Sequence, residues 1–86
     1  MDKIKVLIAE IEELDMAVCK QKLAEKNIEV CVCEGNGRSV LDALHKEQPT
    51  IAIVDFLMPV YDALTVKKRY EAEGGKTTFF VVFPYL

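Results

Sequence analysis

Four short runs rich in β-branched, aliphatic and aromatic residues, IKVLIA (residues 4–9), IEVCVC (28–33), TIAIV (50–54) and TTFFVVF (77–83), are each separated from the next by a stretch long enough for one helix. This alternation constrains the fold more than any other feature, because strands joined by helices lie parallel in one sheet with right-handed crossovers. The intervening stretches have helical spacing. Residues 14–26 carry Met16, Cys19 and Leu23 on one side and Leu14, Ala17 and Val18 on another, which predicts a helix covered from more than one direction. Residues 38–47 bring Val40, Leu41 and Leu44 together before Pro49 ends the segment. Residues 62–73 align Ala63, Val66 and Tyr70, with Asp62 placed as the cap and Gly74-Gly75 as the stop. The reading is one α/β domain over residues 1–86, with no internal repeat or linker to divide it.

The third run reads TIAIVD, and it is apolar on both alternating faces until it ends on a carboxylate, Asp55. Such a run predicts a strand covered on both sides, as in parallel sheets. Ligands and chemistry collect at the carboxyl ends of strands in open α/β sheets, so Asp55 is a candidate site residue. Net charge is −3 and no basic run occurs, which argues against nucleic acid and anionic membrane surfaces as partners. No apolar stretch reaches the roughly 20 residues of a membrane span and no signal sequence opens the chain, so a soluble, cytoplasmic protein is expected. Cys31 and Cys33 share one strand face and Cys19 lies in a helical stretch; without a CxxC pair or clustered histidines they read as small core residues. GNG (residues 35–37) is a turn without the spacing of a dinucleotide loop, and no nucleophile–base pair is visible, so no enzyme is expected. His45 and the KKR tripeptide (residues 67–69) read as solvated helix surface, and Tyr61 and Tyr85 as packing residues near the Asp55 end.

NGRSVLDALHKEQPTIAIVDFLMP (residues 36–59) resembles the receiver domain of two-component response regulators, the chemotaxis-Y-like family, over a turn, a helix, a strand, an aspartate and a Met-Pro loop. DAL (residues 62–64) is similar to that family's Asp-Gly-Leu, with Ala63 in place of glycine. The resemblance implies a flavodoxin-like parallel sheet, here incomplete with strand order 2-1-3-4, because the family has five βα units and this chain supplies about three and a half. It also implies that Asp55 is the phosphoryl acceptor and a histidine kinase the donor. Phosphoryl transfer to a carboxylate relies on positioning and on a divalent ion held by nearby carboxylates. The family uses two adjacent acidic residues for Mg²⁺; here Glu10 stands first and Ile11, which has no oxygen to offer, stands second, with Glu12 nearby. The metal set is thereby reduced to Glu10 and Asp55, and Mg²⁺ binding is weakened. Met58 and Pro59 flank the site, Pro84 replaces the family's hydroxyl residue, and the family's lysine has no counterpart.

The resemblance makes the fourth strand an interior one, and its sequence agrees: Phe79, Val81 and Phe83 face one side, Phe80 and Val82 the other. Leaving two such side chains in water forgoes on the order of 3–6 kcal/mol, against a total stability of about 5–15 kcal/mol for a small domain. A homodimer or a protein partner is therefore expected to complete the sheet at these five residues. Three readings stay open. The first, favoured by Ile11 and Pro84, is a pseudo-receiver that serves as a phosphorylation-independent interaction module. The second is a receiver phosphorylated at Asp55 by a histidine kinase, and the third is the amino-terminal part of a longer regulator with an effector domain.

Overall fold

The computed structural model describes residues 3–9 and 16–83. Its elements alternate as read: β1 (Lys5–Ala9), α1 (Met16–Glu25), β2 (Glu29–Cys33), α2 (Gly37–Glu47), β3 (Ile51–Asp55), α3 (Ala63–Ala72) and β4 (Thr78–Val82). All pairings are parallel and the strand order is β2-β1-β3-β4, as the resemblance implied. The chain moves one way across the sheet from β1 to β2 and the other way from β2 through β3 to β4. Right-handed crossovers therefore put α1 on one face and α2 with α3 on the other.

The α2 and α3 face holds the main core. Leu7, Ala9, Ala52 and Val54 from the sheet pack against Val40 and Leu44 of α2 and Ala63, Val66 and Tyr70 of α3, with Met58 closing one end. Cys31 and Cys33 border this cluster, in the core role expected of them. Burial raises the Cys31 thiol pKa, with its Sγ 3.5 Å from the Glu47 carboxylate that Lys5 also holds at 3.2 Å.

Cover on the opposite face falls away along the sheet. Val6 and Ile8 of β1 are buried, their register neighbours Ile51 and Ile53 of β3 are half-buried, and Phe80 and Val82 of β4 are exposed. The expectation that β3 is covered on both sides thus holds fully only on the α2 and α3 side. Nor is α1 covered from several directions. Met16, Cys19 and Leu23 are half-buried while Ala17 and Val18 face outward, and no residue of the helix is fully buried; Leu14 lies outside the described residues. One helix against a sheet face has a partner on one side only.

Local signals set the helix ends. The Asn36 side chain caps α2 by accepting the Ser39 N–H at 2.8 Å, and Gln48 closes it in a left-handed conformation (φ 46°) before buried Pro49. Asp62 caps α3 by accepting the Thr65 N–H at 2.8 Å. Gly75 then passes so close to the Tyr70 ring that a Cβ there would collide with it. Beneath that ring the Thr77 hydroxyl donates to the Pro49 carbonyl at 2.7 Å and shares a hydrogen bond with the Tyr70 hydroxyl at 3.2 Å, so these buried polar groups are satisfied. No helix among the described residues is long and apolar enough to cross a membrane.

Leu44→Ala empties a fully buried position and is expected to lower unfolding free energy by about 2–5 kcal/mol in urea titration. The Asp62 carboxyl is held below its ordinary value of 3.8, chiefly by the backbone N–H and then the hydroxyl of Thr65. Its contribution is thus complete at neutral pH and is lost as pH falls through and below that value. Asp62→Ala should lower the thermal midpoint at pH 7 by several degrees and flatten the acid side of the stability curve.

Candidate functional site

Asp55 is the last residue of β3, at the point where the chain reverses direction across the sheet between β1 and β3. Open parallel sheets leave a crevice at that position. The side chain is half-buried, and its Oδ1 accepts the N–H of Leu57 at 3.3 Å, a local turn of the kind aspartate favours. The loop that follows is fixed from several sides. Phe56 donates its N–H to the Val82 carbonyl at 2.8 Å, extending the β3–β4 ladder by one step, and Ala63 N–H returns to the Phe56 carbonyl at 3.2 Å. Met58 turns inward and is buried in the core, while Leu57 and Val60 stand 64% and 68% exposed.

The Pro59 carbonyl is the centre of this loop. It accepts the Tyr61 N–H at 3.0 Å across a tight three-residue turn in which Val60 has φ 74°, and it also accepts the Gly37 N–H at 2.9 Å from the first turn of α2. A branched residue at positive φ is uncommon and strained, so the surrounding bonds must hold it. Gly37 meets this loop closely; a Cβ at that position would run into the Tyr61 backbone. Tyr61 itself packs on the core, with the Arg69 guanidinium 4.4 Å above its ring. The KKR tripeptide lies on the helix surface as expected, with Lys68 and Arg69 exposed, but two of its side chains are engaged: Arg69 stacks on Tyr61 and Lys67 pairs with Glu71 at 3.0 Å.

The structure brings Asp55, Met58 and Pro59 together, and places Phe83 beside them by stacking it on Phe56 at a ring separation of 4.9 Å. Glu10, Ile11, Glu12 and Pro84 lie outside the described residues, as does Tyr85. At the Asp55 end of the sheet Leu57, Val60, Leu64 and Phe83 are all about half exposed or more, with exposed Asp62 among them. Among the described residues no group of three or more His, Cys, Asp or Glu side chains is placed to hold a metal ion. One carboxylate, with an oxygen already engaged by a backbone N–H, does not by itself make the oxygen-rich set that Mg²⁺ takes. Of the five fourth-strand residues expected at an interface, Phe79 and Val81 turn into the core instead, because the strand's alternation puts them on the α2 and α3 side; Phe80, Val82 and Phe83 are exposed.

One feature escaped the sequence reading. His45 is exposed on the helix surface as read, but its Nε2 lies 3.2 Å from Glu73 Oε1 and its ring meets Tyr70 edge-on at 5.2 Å. With Gln48 and Lys76 these residues line a cavity of about 250 Å³ at the carboxyl ends of α2 and α3, at the far end of the sheet from Asp55. The signal was present only as two residues at matching ends of two helices, and it becomes a pair once those helices are known to be adjacent and parallel.

Gly37→Ala should push its methyl group into the Tyr61 backbone, with an expected loss of about 1–3 kcal/mol in urea unfolding and altered amide chemical shifts from Phe56 to Asp62.

Comparison of the sequence with protein-family models and with curated proteins finds no match. Solved structures do match. The receiver domain of a Francisella response regulator superposes with a TM-score of 0.77 at 21% identity, covering 94% of this chain and 66% of its own. The signal receiver domain of the putative response regulator NarL from Mycobacterium tuberculosis gives 0.83 at 17% identity, over 100% and 70%. The signal receiver domain of a modulated diguanylate cyclase from Desulfovibrio desulfuricans gives 0.77 at 23% identity, over 99% and 68%. This chain therefore spans about two thirds of each of these domains. It has the flavodoxin-like fold of the response-regulator receiver domains, from its first described strand to its fourth.

Proposed function

We propose that the chain is a receiver-type signal-transduction module that acts as a protein-interaction domain without a phosphorylation switch. The observation that carries this reading is the exposure of Leu57, Val60, Leu64 and Phe83 in the segments that follow β3 and β4 and open α3, at the Asp55 end of the sheet, while Asp55 itself bonds to its own loop. Exposed apolar groups clustered at one end of a small domain mark a surface that another protein covers. The sequence adds Ile11 and Pro84, which withdraw oxygen and hydroxyl groups that phosphoryl transfer would use.

A second reading rests on the placement of Asp55 at the switch point of the sheet, half-exposed and reachable. In that reading a histidine kinase is the partner, and an Asp55 oxygen attacks the donated phosphorus to form an acyl phosphate while the donor group leaves. Intact-mass measurement of the protein with Mg²⁺ and acetyl phosphate separates the two, with Asp55→Asn as control. No adduct is expected. A phosphoryl adduct on the parent chain that is missing from Asp55→Asn would establish the switch and overturn the first reading.

A further inference from the structure

The turn that opens α2 contains the pair Asn36–Gly37, and the fold has a use for each residue. Asn36 is the helix cap: its Oδ1 accepts the Ser39 N–H at 2.8 Å, and its main-chain carbonyl accepts the Val40 N–H at 3.0 Å. Gly37 has to be bare, because a Cβ there would run into Tyr61. Together they carry a chemical liability. A backbone nitrogen that follows asparagine can attack the side-chain amide carbon, and glycine leaves that nitrogen unshielded. The chain's other asparagine, Asn27, precedes Ile28, whose branched side chain crowds the same approach.

The folded domain restrains the attack at several points. Gly37 N–H is held by the Pro59 carbonyl at 2.9 Å, so its proton is engaged by the Asp55 loop. Asn36 has ψ 152°, which keeps the Gly37 nitrogen out of line with Cβ, where ring closure needs it. The side-chain amide is held at both ends, by Ser39 N–H on Oδ1 and by Glu34 Oε2 on Nδ2 at 3.2 Å. Asn36 is only half-buried, and releasing these bonds takes a local opening of one helical turn, which proteins undergo without unfolding globally.

We propose that Asn36 is a modification site, deamidated spontaneously at a rate set by opening of the first turn of α2, and that its isoaspartyl product uncouples α2 from the Asp55 loop. The Gly37 nitrogen bonds to Asn36 Cγ and gives up its proton, the Cγ–Nδ2 bond breaks, and ammonia leaves. Water then opens the resulting succinimide at either carbonyl. Opening at Cγ gives aspartate with the main chain intact. Its carboxylate still caps Ser39, with a negative charge that the helix N-terminus favours and Glu34 opposes. Opening at the main-chain carbonyl gives isoaspartate, which routes the backbone through Cβ and Cγ. The chain gains a carbon before Gly37, and the carbonyl that served Val40 becomes a free carboxylate, so the Gly37 N–H loses its place against Pro59. This inference is independent of whether Asp55 takes a phosphoryl group.

Incubation of the 86-residue protein at mildly alkaline pH, followed by peptide mass mapping, tests it. The folded chain is expected to convert amide to acid at Asn36 and not at Asn27, several-fold more slowly than the chain unfolded in urea. Below the unfolding transition, added urea should speed conversion in proportion to hydrogen exchange at the Gly37 amide. A folded chain that stays intact at Asn36 while the unfolded chain converts, equal rates in the two states, or conversion that does not follow Gly37 exchange would overturn the proposal. The two products separate by chromatography. The aspartate product and Asn36→Asp should keep the parent amide shifts from Phe56 to Asp62, and the isoaspartyl product should lose them. An isoaspartyl product with parent shifts would overturn the uncoupling.

Discussion

The packing of two helical stripes against one face of a parallel sheet supports everything else in this domain. Fully buried Ala9, Ala52 and Ala63 leave room for α2 and α3 to sit close to the strands, and Leu7, Leu44, Val54 and Val66 fill the remaining space. Burying side chains of this size is worth roughly 1.5–3 kcal/mol each for the larger ones, which makes this face the main source of stability. Its consequences reach both ends of the sheet. At one end it fixes where β3 stops and so where Asp55 points; at the other it sets the ends of α2 and α3 side by side, which creates the His45–Glu73 pair and the cavity beneath it.

The Asp55 loop depends on the same core through backbone contacts. Met58 anchors it from below, the Pro59 carbonyl ties it to the first turn of α2, and Tyr61 carries the weight of Arg69 above. A positive φ at Val60 is tolerated because these bonds surround it on both sides. The loop is thus held by packing and hydrogen bonds, and it presents apolar side chains outward. That combination fits a surface with a defined shape that a protein partner recognises, which is the basis of the functional proposal.

The two faces of the sheet are unequal, and the inequality is physical in origin. Among the described residues two helices cover one face while α1 alone serves the other, so cover thins from β1 through β3 to β4. Phe80 and Val82 lie at the end of that gradient, next to an edge whose backbone groups have no described partner.

Much of this was legible in the residues themselves. Asn36, Asp62, Pro49 and Gly74-Gly75 marked the helix ends because capping and chain-breaking are local chemistry, and period-two and period-three-to-four patterns separated strands from helices. The strand order and Asp55 at a strand end followed from the resemblance carried by residues 36–59 and from the general habit of α/β sheets. The residue pattern did not reveal how fully each element is covered. TIAIV reads as apolar on both faces whether or not something lies over Ile51 and Ile53, and residues of α1 read as two-sided although one side meets solvent. The sequence by itself determined which residues turn, cap and pair, because those depend on neighbours within a few positions. Only the tertiary structure decided that His45 meets Glu73, that Arg69 stacks on Tyr61, that Gly37 must be bare to admit the Asp55 loop, and that Phe80 stands exposed, because each depends on elements brought together from distant parts of the chain.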